Sequence, residues 1–245
     1  MPVTELARGL VSWIKEVVLA AGSEGVVLGM SGGLDSSVVA ALCQRAFPGS
    51  TVGVIMPCHS DALDEEHARL VADKFHISTR TVVVDDVFDA LIAALRGETR
   101  SAVPKLAESN IKPRLRMTIL YYFANQLGYL VAGTSNKSEI SVGYFTKHGD
   151  NGVDLLPLGN LVKSQVRDLA LHLGIPQEII DKPPSAGLWK GQSDEAELGL
   201  TYSDIDRYLV SGEARGEVKV KIDSMMARSR HKCCPPPVPP VSLDS

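Results

Sequence analysis

The segment SGGLDSS, residues 31–37, brings glycines, hydroxyls and a carboxylate together in one short stretch. Gly32 and Gly33 can both adopt positive φ, which lets backbone amides approach an anion closely. The three serines of the segment supply hydroxyl donors, and Asp35 supplies a carboxylate of the kind that binds Mg²⁺. These residue types in this order predict a loop that holds phosphate groups together with a metal ion.

The elements on either side of this segment support the same prediction. An apolar run at residues 26–30 precedes the segment, and a helical pattern begins at Ser36. A helix N-terminus has unpaired N–H groups and positive partial charge, and both stabilise a bound anion. The Walker pattern is excluded because no GK[ST] follows the glycines. The simpler alternative is a strand–turn–helix joint with capping serines, and it does not account for Asp35 at a fixed offset among them.

The pattern SGGxDSS resembles the PP-loop of the ATP pyrophosphatase superfamily. The resemblance implies that ATP is cleaved between its α and β phosphates and that a substrate is adenylated. It identifies the superfamily better than it identifies the substrate. By this resemblance the contacts with ATP come from Gly29, Met30, Ser31, Gly32, Gly33, Leu34, Asp35 and Ser36.

Buried strand patterns alternate with helical patterns along the first half of the chain. Strands are predicted at residues 25–30, 51–56, 79–84 and 129–133, and helices at 4–21, 36–45, 61–75 and 110–126. Such alternation predicts an α/β fold, a parallel sheet with helices on both faces, of the Rossmann type and similar to the adenine nucleotide alpha hydrolases. Ligands of such folds bind beyond the carboxyl ends of the strands, where the phosphate loop and residues 133–135 both fall.

The second half of the chain has weaker periodicity. Residues 143–160 and 182–200 are rich in Gly, Pro, Ser and Asp and are predicted to be loops, whereas residues 215–229 suit either a strand or a helix. We expect one domain over residues 1–245, with residues 235–245 as an extended proline-rich tail.

Charge and cysteine content exclude several classes of function. The net charge of −4 argues against a broad nucleic-acid surface. No apolar stretch reaches membrane-spanning length, and the N-terminal pattern is that of an amphipathic helix rather than a signal peptide. The four cysteines form no CxxC pair, which favours a reducing compartment. We therefore expect a cytoplasmic protein that binds neither nucleic acid nor a membrane.

A set of segments in the second half narrows the choice of substrate. In order they are NIKPRLRM (110–117), GTSNKSE (133–139), GYFTKHGDNGVDLLPLGNLVKSQVR (143–167), KPPSAGLW (182–189), QSDEAELG (192–199) and HK (231–232). Together they resemble the NAD synthetase family over essentially the whole chain. The resemblance implies a homodimeric ligase of the final step of NAD biosynthesis. Such a ligase uses ATP, Mg²⁺ and ammonia to amidate nicotinic acid adenine dinucleotide (deamido-NAD) to NAD⁺, through an adenylated intermediate, and releases AMP and pyrophosphate.

The resemblance also implies roles for single residues. Asp35 and Glu139 would bind Mg²⁺ and, with Lys163, would be catalytic. Further contacts with ATP would come from Thr134, Lys163 and Ser185, and contacts with deamido-NAD from Arg114, Lys147, Asp154, His231 and Lys232.

Each of these assignments has a structural alternative. Arg114 and Arg116 lie two residues apart on a predicted helix, so we expect them to point in different directions. The resemblance favours Arg114 as the residue that faces the site, and Arg116 as part of a structural ion pair. Lys147 and Lys163 could be solvated surface lysines, and Glu139 could be an ordinary solvent-facing helix residue.

Two other functions remain open on the sequence. The first is another PP-loop enzyme, such as a tRNA-modifying enzyme or a GMP-synthetase-like amidotransferase half, although a tRNA enzyme would need a basic surface. The second is a nucleotide-binding regulatory module without catalysis, against which Asp35 and Glu139 argue. Because only one predicted helix precedes the phosphate strand, we expect no glutaminase domain and therefore the use of free ammonia, or of ammonia delivered by another polypeptide.

Overall fold

The computed structural model describes residues 1–98, 103–189 and 191–240. Its strands are β1 (Val26–Gly29), β2 (Thr51–Ile55), β3 (Ser78–Thr81) and β4 (Leu130–Ala132). Its helices are α1 (Val3–Ala20), α2 (Leu34–Ala46), α3 (Ala62–Phe75), α4 (Asp85–Gly97), α5 (Lys105–Ser109), α6 (Ile111–Leu127), α7 (Lys137–Val142), α8 (Lys163–Leu173), α9 (Gln177–Ile180), α10 (Asp194–Leu198), α11 (Tyr202–Ser211) and α12 (Gly216–Ser229), followed by a 3₁₀ helix (Arg230–Lys232).

The four strands form a parallel sheet in the order β3-β2-β1-β4. This confirms the predicted fold class. The chain starts in the middle of the sheet, moves outward to β3, and then crosses to β4 on the other side of β1. The strand order therefore reverses between β1 and β4, which is where ligands bind in open α/β sheets.

Both faces of the sheet are covered, and β1 shows how its alternating residues achieve this. Val26 and Leu28 are fully buried against α1, α2, α3 and α8, whereas Val27 is fully buried on the face covered by α4 and α6. Complete burial of one such side chain stabilises the fold by about 1.5–3 kcal/mol. An unbroken apolar run is required here because neither face of this strand contacts water.

A smaller apolar cluster lies in the C-terminal part of the chain and joins α7, α10, α11 and α12. Its buried members are Val142, Leu198, Leu200, Ile205 and Ile222. Residues 216–229 are helical rather than extended, since Ile222 is fully buried while Val220 is 69% exposed. The cluster places α11 close to α7 and α8.

The sequence predictions differ from the structure at several boundaries. The third strand ends at Thr81 instead of continuing to residue 84, and α4 was not predicted. The region 182–200, predicted as a loop, contains α10. Residues 235–240 of the predicted tail carry no helix or strand, and residues 241–245 lie outside the described residues. Among the described residues, no helix has both the length and the apolar character needed to cross a bilayer.

Candidate active site

The phosphate loop connects the carboxyl end of β1 to the N-terminus of α2. Gly32 has a φ of +69°, as expected, and packs against α3. A Cβ built on Gly32 would overlap the carbonyl oxygen of Asp64 and would lie 2.9 Å from the Cβ of His67. Gly33 is different: its φ of −92° and ψ of 167° are extended, so the positive φ that a glycine allows is used at Gly32 and not at Gly33.

The serines of the loop shape the turn. The hydroxyls of Ser36 and Ser37 both donate to the carbonyl oxygen of Gly33, at 3.0 and 2.7 Å, and Ser31 Oγ lies 3.0 Å from Ser36 Oγ. Gly33, the N-cap residue of α2, has no side chain to cap the helix. The first turn of α2 lines the cavity, and its first N–H groups, which no capping side chain satisfies, suit a bound anion.

Asp35, Glu139 and Lys163 come together next to this loop from three different helices. Lys163 Nζ lies 2.5 Å from Asp35 Oδ2 and 3.2 Å from Glu139 Oε1. The fully buried Asn136 orients both carboxylates, because its Nδ2 donates to Asp35 Oδ1 and its backbone N–H donates to Glu139 Oε2. Glu139 completes a capping box with Asn136 at the N-terminus of α7. Glu139 is thus not an ordinary solvent-facing helix residue.

The pKa values of Glu139 and Lys163 are both raised, and on each of them burial acts against the attraction of the oppositely charged partner. Burial raises the pKa of Glu139 to about 7, with Lys163 acting to lower it and Asp35 acting to raise it. Burial disfavours the charged form of Lys163, yet Asp35 and Glu139 together hold its pKa above the usual value. Lys163 therefore remains an ammonium ion and is the counter-ion of two carboxylates.

A second set of polar residues extends from Glu139 and was not predicted from the sequence. The Tyr202 hydroxyl donates to the buried Asp194 at 3.0 Å and lies 3.4 Å from Glu139 Oε1. Its ring makes a cation–π contact with Lys163 Nζ, which lies 4.9 Å from the ring centroid. Tyr144 donates to the same Asp194 at 3.1 Å. Burial, with help from the nearby carboxylates, raises the pKa values of both phenols, so both remain hydrogen-bond donors. No local pattern in the sequence marks this network.

The remaining predicted ATP contacts border the same cavity, which has a volume of about 1610 Å³. Thr134, after β4, and Ser185, in the segment before α10, both line it. Ser185 Oγ accepts a hydrogen bond from the N–H of Gly187 at 3.2 Å. The cavity wall also includes Gly29, Met30, Ser31, Gly33, Leu34, Asp35, Ser36, Glu139 and Lys163, whereas Gly32 is turned toward α3.

Four of the five residues expected to contact deamido-NAD line the cavity, and each of the three cations among them donates to a backbone carbonyl oxygen. Arg114 donates to the carbonyl oxygen of Lys147 at 3.3 and 3.2 Å, and Lys147 Nζ donates to that of His231 at 3.0 Å. Lys232 Nζ donates to the carbonyl oxygens of residues 143 and 145. Because these acceptors are neutral, the positive charges of this cationic rim (Arg114, Lys147 and Lys232) can still attract an anion.

The fifth residue, Asp154, does not line the cavity. Its two carboxylate oxygens accept from Val131 N–H at 2.7 Å and from the Tyr121 hydroxyl at 3.0 Å. The neighbouring Leu155 forms a single parallel bridge with Ala132 of β4. Asp154 therefore anchors a chain segment to the edge of the sheet.

Arg116 also differs from its prediction. It donates to the carbonyl oxygen of Met56 at 3.1 Å and to Ser60 Oγ at 3.3 Å, which are neutral groups and not the expected ion-pair partner. Like Arg114, it lines the cavity, so the expectation that only one of the two arginines faces the site is wrong.

The two carboxylates fit a metal ion that is shared with a nucleotide. Mg²⁺ prefers oxygen ligands and commonly takes one or two carboxylates together with substrate phosphates. Asp35 and Glu139 supply such a pair beside the phosphate loop. Across the described residues, no group of three or more His, Cys, Asp or Glu side chains forms a metal-binding cluster. An ion held here would therefore take its remaining oxygen ligands from water and, when ATP is bound, from its phosphates.

The parallel sheet, with SGGLDSS after its central strand and helices on both faces, defines an ATP-binding α/β protein of the PP-loop type. Residues 6–236 match the family model described as NAD synthase, and the chain belongs to that family.

Individual relatives agree with this assignment over most of their length. The NH₃-dependent NAD⁺ synthetase of Carboxydothermus hydrogenoformans is 50% identical over 235 residues, which are 96% of this chain and 97% of that protein. The structure of NMN synthetase from Francisella tularensis is similar with a TM-score of 0.93 and 35% identity, covering 98% of this chain and 100% of that one. The structure of NH₃-dependent NAD synthetase from Campylobacter jejuni has a TM-score of 0.79 and 27% identity, covering 97% and 99%.

Proposed function

We propose that the chain amidates deamido-NAD to NAD⁺ with ammonia and ATP, through an adenylated intermediate, and that AMP and pyrophosphate are released. This activity would make it a ligase of the final step of NAD biosynthesis. The observation that carries the proposal is the convergence of Asp35, Glu139 and Lys163 beside SGGLDSS, in a chain of the NAD synthase family.

The chemistry explains why such a site is needed. A carboxylate is a poor acceptor for ammonia, because its leaving group would be oxide. Attack of the substrate carboxylate on the α-phosphorus of ATP breaks the bond to pyrophosphate and forms a mixed anhydride. Ammonia then attacks the carbonyl carbon, AMP leaves with the bonding electrons, and the nitrogen loses a proton. This sequence of steps depends mostly on positioning and electrostatics.

The residues of the cavity match separate parts of this reaction. The phosphate loop and the N-terminus of α2 suit the β and γ phosphates, and the ammonium group of Lys163 suits charge that develops as pyrophosphate departs. Mg²⁺, when bound by Asp35 and Glu139, supplies charge neutralisation at the phosphate oxygens. The cationic rim suits the phosphates of the acceptor.

A second candidate function has a specific observation in its favour. The Francisella tularensis structure, with its TM-score of 0.93, is that of an NMN synthetase. The corresponding acceptor is the deamido mononucleotide, which carries the same nicotinate carboxylate without the adenylate half. The 50% identity to an NAD⁺ synthetase favours the dinucleotide as the main acceptor.

One experiment tests both functions. The purified chain is incubated with ATP, Mg²⁺ and ¹⁵N-ammonium and with either deamido-NAD or deamido-NMN, and the products are identified by mass spectrometry. We expect ¹⁵N-labelled NAD⁺ with equimolar AMP and pyrophosphate, and a higher kcat/KM for deamido-NAD. A higher kcat/KM for deamido-NMN would establish the second candidate. Formation of ADP and phosphate, or AMP release only with xanthosine monophosphate or tRNA, would refute both.

We further propose that Mg²⁺ is the metal, that the location is cytoplasmic, and that the protein is a homodimer. The dimer is supported by large apolar side chains exposed on α4 and α6, among them Val87 at 58% and Tyr122 at 65%. Sedimentation equilibrium is the direct measurement, and a monomer at micromolar concentration would contradict the dimer.

A further inference from the structure

Asp206, on α11, accepts hydrogen bonds from α7 and α8, two of the three helices that carry the site. Its Oδ2 accepts from Ser164 N–H at 2.7 Å, and its Oδ1 accepts from Lys163 N–H at 3.3 Å and from the Ser138 hydroxyl at 2.6 Å. Asp206 is buried, with 7% of the residue exposed. A buried carboxylate with three donors is well satisfied, and its bonds are of the stronger charge-assisted kind.

Gln165 of α8 accepts a hydrogen bond from the N–H of Val162 at 3.1 Å, but the N–H groups of Lys163 and Ser164 are bonded by other elements. The N-cap residue of α8 is Val162, whose side chain contains no hydrogen-bond acceptor. The first N–H groups of a helix are unpaired and carry positive partial charge, so a carboxylate placed there is favourable. Asp206 provides that cap from another helix, and it meets α8 at Lys163 and Ser164, where the helix begins.

Ser138 makes the link between α7 and α8 direct. This fully buried hydroxyl donates to Asp206 and also accepts from the N–H of Lys163 at 3.1 Å. Ser138 immediately precedes Glu139 in α7. The Ser138 hydroxyl, the Asp206 carboxylate and the Lys163 N–H therefore form one hydrogen-bonded group. This group joins the backbone of Lys163 to the residue that precedes Glu139.

We propose that Asp206 is a positioning residue that sets the distance between the N-termini of α7 and α8, so that Glu139 and Lys163 converge on Asp35. The inference rests on the proposed function, because it assigns this convergence to the binding of ATP with its metal. Asp206 itself acts through other residues and would touch neither ATP nor the acceptor.

The test compares Asp206→Asn with Asp204→Asn, a matched change on the same helix. Asp204 bonds Thr201 and pairs with Arg207, and neither partner is a predicted site residue. The dissociation constant of ATP in the presence of Mg²⁺ is measured by isothermal titration calorimetry without acceptor. Each variant is titrated well below its own melting temperature, so that reversible unfolding does not weaken the apparent affinity, and irreversibly unfolded protein lowers only the fitted stoichiometry.

We expect Asp206→Asn to bind ATP with Mg²⁺ about tenfold more weakly, the lower end of the loss found when groups that orient metal ligands are changed, and Asp204→Asn to match the wild type. Wild-type affinity in Asp206→Asn, with lower thermal stability, would show that Asp206 is a helix cap only. Absence of ATP binding in the wild type would instead refute the proposed function.

A second variant covers the case in which Asp206→Asn fails to fold. Ser138→Ala removes the hydroxyl between the two helices and leaves Asp206 bonded to the backbone of α8. We expect weaker ATP binding in this variant, and a combined effect in the double variant that is smaller than the sum of the two single effects. Unchanged ATP binding in Ser138→Ala, or strict additivity, would overturn the positioning role.

Discussion

Replacing Gly32 by alanine tests the geometry of the phosphate loop most directly. The φ of +69° is in the left-handed region, which costs an L-residue with a Cβ about 1–2 kcal/mol. The added methyl would also overlap the backbone oxygen of Asp64 and lie 3.1 Å from the N atom of Ala68. Because both atoms belong to the backbone of α3, they cannot rotate away, and the loop or the helix must shift.

The expected loss follows from adding the two effects. Overpacking a close contact costs about 1–3 kcal/mol, so together with the backbone conformation Gly32→Ala should destabilise the fold by about 2–5 kcal/mol. For a chain of this size the melting temperature falls by about 2–4 °C for each kcal/mol. Urea unfolding and thermal unfolding measure this loss, and calorimetry measures ATP affinity, which should fall as well because the loop moves.

The neighbouring glycine provides the control. Gly33 has an extended backbone, and a Cβ there would meet only Ser31 Oγ at 3.3 Å, which is the end of a side chain that can rotate. Gly33→Ala should therefore cost less than about 1 kcal/mol. Equal destabilisation by the two changes would refute the reasoning, because they differ only in φ and in the contact with α3.

Two further predictions concern the ion pair and the anchored carboxylate. Lys163→Met should lose amidation but bind Mg²⁺ more tightly than the wild type in the absence of nucleotide, because the ammonium group that pairs with Asp35 and Glu139 is gone. Calorimetric titration with Mg²⁺ alone measures this affinity, and equal or weaker binding contradicts the prediction. Asp154→Asn should lose about 1–3 kcal/mol of stability, since one of its two donors is left unpaired, with the KM for deamido-NAD nearly unchanged. A large rise in that KM at unchanged stability would instead make Asp154 a substrate contact.

The features predicted correctly from the sequence depend on residues that are close together in the chain. The phosphate loop needs its glycines and hydroxyls within one turn, and β1 needs an unbroken apolar run between two helices. Both signals are local, so the parallel sheet and the position of the loop could be inferred. The third strand was predicted too long because the β-branched run 81–84 continues past Thr81, which pairs with Ile55 at the end of β2. Beyond it, the N–H groups of Val82 and Val84 still donate to the carbonyl oxygens of Ile55 and Pro57.

The contacts that complete the site connect distant parts of the chain and leave no local pattern. Lys163 meets Asp35 across 128 residues, and Asp206 meets Ser138 across 68 residues. Arg116 shows the same difficulty, since its neutral partners lie 60 and 56 residues away. Helical spacing predicts that Arg114 and Arg116 point in different directions, and the two side chains do bond different segments of the chain. Both nevertheless border the cavity.

The distribution of charge in the cavity matches a reaction that joins two anions. ATP and deamido-NAD repel each other, so each must be neutralised before the carboxylate can approach the α-phosphorus. The carboxylates that suit a metal-bound triphosphate are on α2 and α7, whereas Arg114 is on α6 and Lys232 is in the C-terminal 3₁₀ helix. Lys163 pairs with Asp35 and Glu139 and offsets part of their negative charge, whereas the rim cations donate to neutral backbone carbonyl oxygens and stay available to the acceptor. If a metal ion that arrives with ATP replaced Lys163 at Asp35 and Glu139, the Lys163 side chain would be freed from this ion pair beside the phosphates of ATP.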